Sequence, residues 1–293
     1  MISSKRSSLS PSARDARLGG GLGAAAMAAS GLLALIVLFL AREAWPALHR
    51  VGGPARFFLD PAWHPAEGLY GLSPMLAASL AASAGALLLA APLGVASALF
   101  CRFYAPPSIA RLYRWAIILL AGIPSVALGF WGLTVIVPLI ARFEPPGASL
   151  LAAILILTLM IVPTIALTTE AALAAIPGAY WRGAAALGLS REGAIRNVAL
   201  PAARGGIAAG VLLAAARALG ETMAVVMVSG NVVQTPTSLF DPVRTLTANI
   251  ALEMAYATGD HRASLFVSGL ALTALVLALA ALAGRLGGGR RHA

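Results

Sequence analysis

Long apolar runs separated by short polar stretches dominate this chain. A helix that crosses a bilayer needs about 20 predominantly apolar residues. Six runs meet that length, at roughly 21–42, 75–101, 115–140, 148–169, 206–229 and 264–284. Tilt or kinks absorb the longer ones. The pattern predicts an all-α polytopic membrane protein with six transmembrane helices. Cytoplasmic loops carry the excess of Lys and Arg. With the N-terminus placed inside, the cytoplasmic side holds Lys5, Arg6, Arg14, Arg17, Arg102, Arg111, Arg114, Arg182, Arg191, Arg196, Arg204, Arg285, Arg290 and Arg291. The outer side holds Arg42, Arg50, Arg56, Arg142, Arg244 and Arg262. The bias favours six helices with both ends cytoplasmic.

The organisation follows from the spans. Residues 1–20 are Ser/Arg-rich and are expected to be a disordered cytoplasmic N-terminus. Residues 21–74 hold the first helix and a periplasmic segment, 75–284 the transmembrane core, and 285–293 a cytoplasmic tail. The first apolar run shows no small-residue cleavage site, so it reads as an uncleaved helix rather than a signal peptide. Two long outer segments, 43–74 and 230–263, carry Trp45, Trp63 and Tyr70, which are expected to anchor at the membrane interface. No convincing internal repeat is present.

Composition narrows the classes. The chain has 293 residues, 59% of them hydrophobic and 11% charged. Soluble domains carry about 25% charged residues. The net charge of +10 comes from scattered basic residues, whereas nucleic-acid binding shows a basic cluster or stripe; no nucleic-acid partner is expected, and membrane lipid is. A lone Cys101 allows no internal disulfide, and His49, His64, His261 and His292 lack metal-ligand spacing. Lys5 is the single lysine, so the chain cannot hold a P-loop, whose lysine reaches the nucleotide phosphates. If ATP drives this protein, ATP and Mg sit on another subunit.

The inner segment 170–205 is too polar to span. Arg182–Leu187 reads as a short helix, with Gly188 as the left-handed residue beyond its end. Ser190 caps a second helix with Glu192 in its first turn, and Pro201 is expected to end it. Helix–turn–helix on the inner face makes either a rigid docking knob or an amphipathic connector lying on the membrane.

This segment resembles the EAA loop of ABC-transporter permeases: Glu-Ala-Ala, three residues, Gly, nine residues, Ile, one residue, Leu-Pro. Ala184, Gly188, Leu200 and Pro201 fall at the matching spacing, and Val198 replaces the Ile. Arg182 and Gly183 stand where the family has Glu and Ala. The resemblance implies a type I ABC importer permease fold. It also implies that 180–201 seats in a separate ATPase subunit through Arg182, Gly183, Ala184, Gly188, Leu200 and Pro201.

The fifth span carries two charges, and an Arg at a bilayer centre costs roughly 2.5–3.5 kcal/mol on insertion scales. Its Arg217-Ala-Leu-Gly-Glu221-Thr222-Met-Ala-Val225, followed by Gly230-Asn231, resembles the PstC-type permeases of phosphate ABC importers. Ala121-Gly-Ile-Pro-Ser125 with Gly129-Phe-Trp-Gly-Leu133 agrees, as do Tyr70-Gly71 and Pro74. The likeness covers about 66–283. It implies a non-enzymatic permease subunit that forms half of a phosphate pathway. The implied partners are a PstA-like second permease, a PstB-like ATPase dimer and a PstS-like periplasmic phosphate-binding protein. The location is the bacterial inner membrane. Permeases for sulfate or molybdate, and the sister PstA type, are the alternatives within the class. A secondary transporter and a scaffold or receptor subunit without transport are the alternatives outside it.

In an unbroken span 206–227, Arg217 falls near the midplane and Glu221 sits about 6 Å further out on the same face. Two roles are open. The pair neutralises itself and pins helix packing, or Arg217, Glu221 and Thr222 line the substrate pathway. A guanidinium has five N–H donors and a carboxylate occupies two at most, leaving donors for phosphate. Glu221 would then orient Arg217 and accept from a P–OH. Pro124 and Pro163 are expected to interrupt spans three and four. Gly210, Ala214 and Gly220 are expected to let neighbouring helices pack closely against span five.

Overall fold

The computed structural model describes residues 13–51 and 53–287. The expected disordered stretch lies outside the described residues as far as 12, and the tail does so from 288. In chain order, α1 (Ala13–Arg50) leads to α2 (Pro54–Leu59) and an antiparallel hairpin, β1 (Trp63–His64) with β2 (Leu69–Tyr70), in which Trp63 faces Tyr70. Then come α3 (Ser73–Leu99), α4 (Pro107–Gly122), α5 (Ser125–Trp131), α6 (Val137–Ala141) and α7 (Leu150–Ala174). The inner loop forms α8 (Gly178–Ala186) and α9 (Arg191–Ala194). After it come α10 (Leu200–Gly220), α11 (Met223–Val228), α12 (Leu246–Glu253) and α13 (Gly259–Gly287).

Among the described residues, five helices are long and apolar enough to cross a membrane, or six if the bent pair α4 and α5–α6 counts as one span. The third span is interrupted at Pro124 as expected, and its two parts meet at 95°. Pro124 caps α5 with Ile123 extended before it, as a proline imposes on its predecessor. Pro163, by contrast, lies inside an unbroken α7.

α3, α5, α7, α10 and α11 share one core, built on Ala78, Ala82, Ala86, Ile156, Leu157, Ile161, Ala214 and Val225. The alanines allow close helix approach, which takes the place of a hydrophobic drive in lipid. Gly210 is the tightest case: a Cβ there would sit 2.1 Å from Thr168 Oγ1 of α7. Ala214 is fully buried beside it. Gly220 departs from expectation, since a Cβ there would meet open space.

Three π turns among the described residues share one grammar. Phe100–Tyr104, Gly132–Ile136 and Ile195–Ala199 each end two residues before a proline, at Pro106, Pro138 and Pro201. In each, the N–H of the residue before the proline donates to the carbonyl five residues back. A proline ring collides with the carbonyl four residues earlier, and the wider π turn opens the backbone at that point. The expected helix end at Pro201 is therefore absent. Leu200 stays helical (φ −61°, ψ −47°), and Arg191–Gly220 runs as one continuous helix.

The outer segments are a folded cap rather than loops. Phe57, Trp63, Tyr70, Leu72, Met75, Leu246 and Leu265 form its core with the outer end of α1. Trp63 and Tyr70 are 6% and 9% exposed, so they pack inside this cap instead of anchoring at a membrane interface. Trp45 is exposed and lies against the His49 ring at 4.2 Å.

Candidate functional site

The fifth span breaks where its charges lie. α10 ends at Gly220, a poor helix former, and Glu221 is extended (φ −69°, ψ 129°) before α11 begins. Arg217 and Glu221 are therefore not stacked on one helical face, and no ion pair joins them. The freed backbone groups are met by side chains, as a broken helix in a membrane requires. Glu221 Oε1 accepts the Ala224 N–H at 3.2 Å. The Thr222 hydroxyl donates to the Gly220 carbonyl at 3.3 Å. From the outer cap, the Thr247 hydroxyl donates to the Glu221 carbonyl at 2.9 Å. Glu221 is thus a cap for α11 rather than the group that orients Arg217.

Arg217 lies in the last turn of α10, where a cation favours the helix dipole. It is exposed and makes no side-chain hydrogen bond or ion pair among the described residues. Around it Ala214, Ala215, Ala218 and Leu219 are buried. Leu213, Arg217 and Gly220 make an outward stripe on a helix whose other sides pack on α7, α13 and α3. An unpaired guanidinium facing lipid tails is costly; on this stripe it suits a polar path or another subunit.

Beside the break, sequence reading missed a narrow crevice where Ser79, Ser83, Glu221, Thr245 and Thr247 meet apolar residues such as Leu157 and Val225. Ser79 Oγ accepts the Leu246 N–H at 2.9 Å, tying α3 to the start of α12. It also missed Glu253. That carboxylate is 6% exposed. It accepts from Trp63 Nε1 at 3.0 Å and from Arg244 Nη1 at 2.6 Å, and it pairs with His261 Nε2 at 2.8 Å. Hairpin, outer loop and α13 meet on it. The usable signal was four polar or amphipathic residues in the two long outer segments. Inside the cap, burial pushes the Tyr70 phenol above its ordinary pKa, with the Asp260 charge adding to it. In the turn beyond α11, the Ser238 and Thr237 N–H groups and the Thr237 hydroxyl hold Asp241 below the usual carboxylate value.

The inner loop forms as its spacing predicts. Gly188 is left-handed (φ +67°). Leu189 N–H donates to Ala184 O at 3.1 Å and Gly188 N–H to Ala185 O at 3.0 Å. This bond pair closes a helix end in a Schellman motif. Ser190 Oγ caps α9 at the Gly193 N–H, 3.1 Å away. Ala184 is buried, while Arg182, Gly183, Gly188 and Pro201 are exposed and Leu200 half-buried. Leu187 is 81% exposed on the knob, with Tyr180 also exposed nearby. Among the described residues no group of three or more His, Cys, Asp or Glu is placed to hold a metal ion.

A bundle of spans with a broken fifth helix and a rigid inner knob defines a multi-pass membrane transport subunit. The chain belongs to the family of binding-protein-dependent transport system inner membrane components, whose model matches residues 90–291. It is 36% identical over 282 residues to the phosphate transport system permease protein PstC of Mesorhizobium japonicum, covering 88% of this chain and 86% of that one. It is 42% identical over 209 residues to the probable ABC transporter permease protein YqgH of Bacillus subtilis, covering 70% and 68%. The fold is that of type I ABC importer permeases. A chain of the bacterial alginate ABC transporter matches with TM-score 0.60 at 15% identity, over 94% of this chain and 98% of that chain. One of the inward-facing MetNI methionine ABC transporter matches with TM-score 0.56 at 22% identity, over 78% and 98%.

Proposed function

We propose that this chain is one of two permease subunits of an ATP-driven phosphate importer in the bacterial inner membrane. A PstA-like permease faces it, a PstB-like ATPase dimer binds the 180–201 knob and supplies ATP and Mg chemistry, and a PstS-like binding protein delivers phosphate from outside. The PstC-named relatives support phosphate over sulfate or molybdate. The observation that carries the pathway assignment is the exposed, unpaired Arg217 on the outward stripe of α10. Its five donors suit an oxyanion. Thr222 and the second oxygen of Glu221 stand at the same break. The exposed Leu187 and the rigid Schellman turn support the knob as a dock.

Purification of the complex through this chain, followed by ATP hydrolysis with the binding protein present, tests the reading. The expected result is a co-purifying ATPase whose activity rises with phosphate. Absence of an ATPase subunit contradicts it, and stimulation by sulfate or molybdate instead moves it to the alternative substrate.

A further inference from the structure

The π turn that ends α3 places two aromatic rings side by side at the cytoplasmic end of the bundle, and each meets a different limb of the knob. The Phe103 ring lies 5.4 Å from the Trp181 ring of α8, tilted by 52°. The Arg191 guanidinium, at the start of α9, sits 4.8 Å from the centroid of the Tyr104 ring. These contacts flank the Schellman turn. Behind them Ala98, Leu173, Ala199 and Ala203 pack into a small buried cluster joining α3, α7 and the helix that begins α10. At its other end α3 carries Ser79 and Ser83, which line the crevice at Glu221. Ser79 also holds the first turn of α12. α3 and its π turn therefore connect knob to break over a rod of about 30 Å at a helical rise of 1.5 Å per residue.

We propose that Phe103 and Tyr104 are positioning residues that pass displacement of the 180–201 knob to α3, so that the knob acts on the break at Glu221 through two helices rather than through α10 alone. This rests on the reading of the knob as an ATPase dock. The covalent route runs through the continuous helix Arg191–Gly220. The second route runs through the rings. Coupling claims need an element that both sites bias rather than mere adjacency. α3 is that element here, gripped at one end by the knob and bonded at the other to the cap beside the break.

The test uses the reconstituted complex with its binding protein and measures ATP hydrolysed per phosphate imported, together with the amount of ATPase subunit that co-purifies. The variants are the double change Phe103→Ala with Tyr104→Ala, Tyr104→Ala alone, Tyr104→Phe and Arg191→Gln. Tyr104 is half exposed, so its single variant does not threaten the core. The expected result is unchanged ATPase content with the ratio raised at least about fivefold in the double variant, the lower end of ordinary coupling effects. Tyr104→Ala and Arg191→Gln raise it by the same smaller factor, their combination raises it no further, and Tyr104→Phe keeps the wild-type ratio. An unchanged ratio in the double variant overturns the proposal. So does loss of the ATPase subunit from the Tyr104→Ala complex, which would make the ring part of the dock itself. A wild-type complex that contains no ATPase fails earlier and takes the functional reading with it.

Discussion

At the scale of single residues, the charges at the helix break and in the outer cap differ in how far they are committed. Among the described residues Arg217 is exposed and unpaired, whereas Glu221 caps α11 and Glu253 meets Trp63, Arg244 and His261. Glu253→Gln removes the charge that Arg244 pairs with. Breaking a fully buried ion pair costs about 3–5 kcal/mol. The Arg244 side chain is 19% exposed, so a loss of about 2–3 kcal/mol is expected, read as a lowered Tm of the purified protein in detergent. Asp241 gives a pH prediction. Its hydrogen bonds favour the charged form, so its native pKa lies below the usual value of 3.8. A depressed carboxylate pKa contributes stability that is present above the unfolded value and lost as pH falls through the native one. The 237–241 turn should stay protected from hydrogen exchange at pH 5 and open only below pH 3.8, while Asp241→Asn opens it at neutral pH. Sequence alone singled out Arg217 and Glu221 because charge inside an apolar run is legible. It missed Glu253 because Trp63, Arg244 and His261 come together only through folding of the cap.

At the scale of elements, periodicity and capping chemistry were readable wherever the interactions are local. Gly188 and Ser190 do what their residue types predict, because a left-handed helix end and an N-cap are settled within a few residues. The break after Gly220 was not readable, since one of its stabilising bonds comes from Thr247, 26 residues away. Pro201 misled for a related reason: a proline usually ends a helix, but a π turn placed just before it lets the helix continue. The π turn before Pro138 shows the same device, whereas after the one before Pro106 the chain leaves the helix at Ala105. Glycines of one span also separate by environment. Gly210→Leu drives a side chain into Thr168 and should destabilise by about 1–3 kcal/mol, in the range of overpacking. Gly220→Ala meets open space and should leave the Tm unchanged. Equal effects from the two would contradict the packing of α10 against α7.

At the scale of the whole molecule, hydropathy located the spans, because span length follows from the bilayer as a solvent, and the basic residues predict their direction. What hydropathy could not see is the 95° bend at Pro124 or the folding of two outer segments into one cap, since neither changes local apolarity. The topology predicts opposite labelling. With buried Cys101 replaced by Ala, a cysteine at Leu187 should react with an impermeant thiol reagent from the cytoplasmic side, and one at Leu239 from the outside. Reaction of both from one side would overturn the arrangement. The central claim is that the free Arg217 handles the transported anion while the rest of the bundle positions it. Radiolabelled phosphate uptake by the reconstituted complex, wild type against Arg217→Ala, tests it most directly. The account predicts an assembled complex with its full complement of subunits and uptake lost. Normal uptake by an assembled Arg217→Ala complex would contradict it.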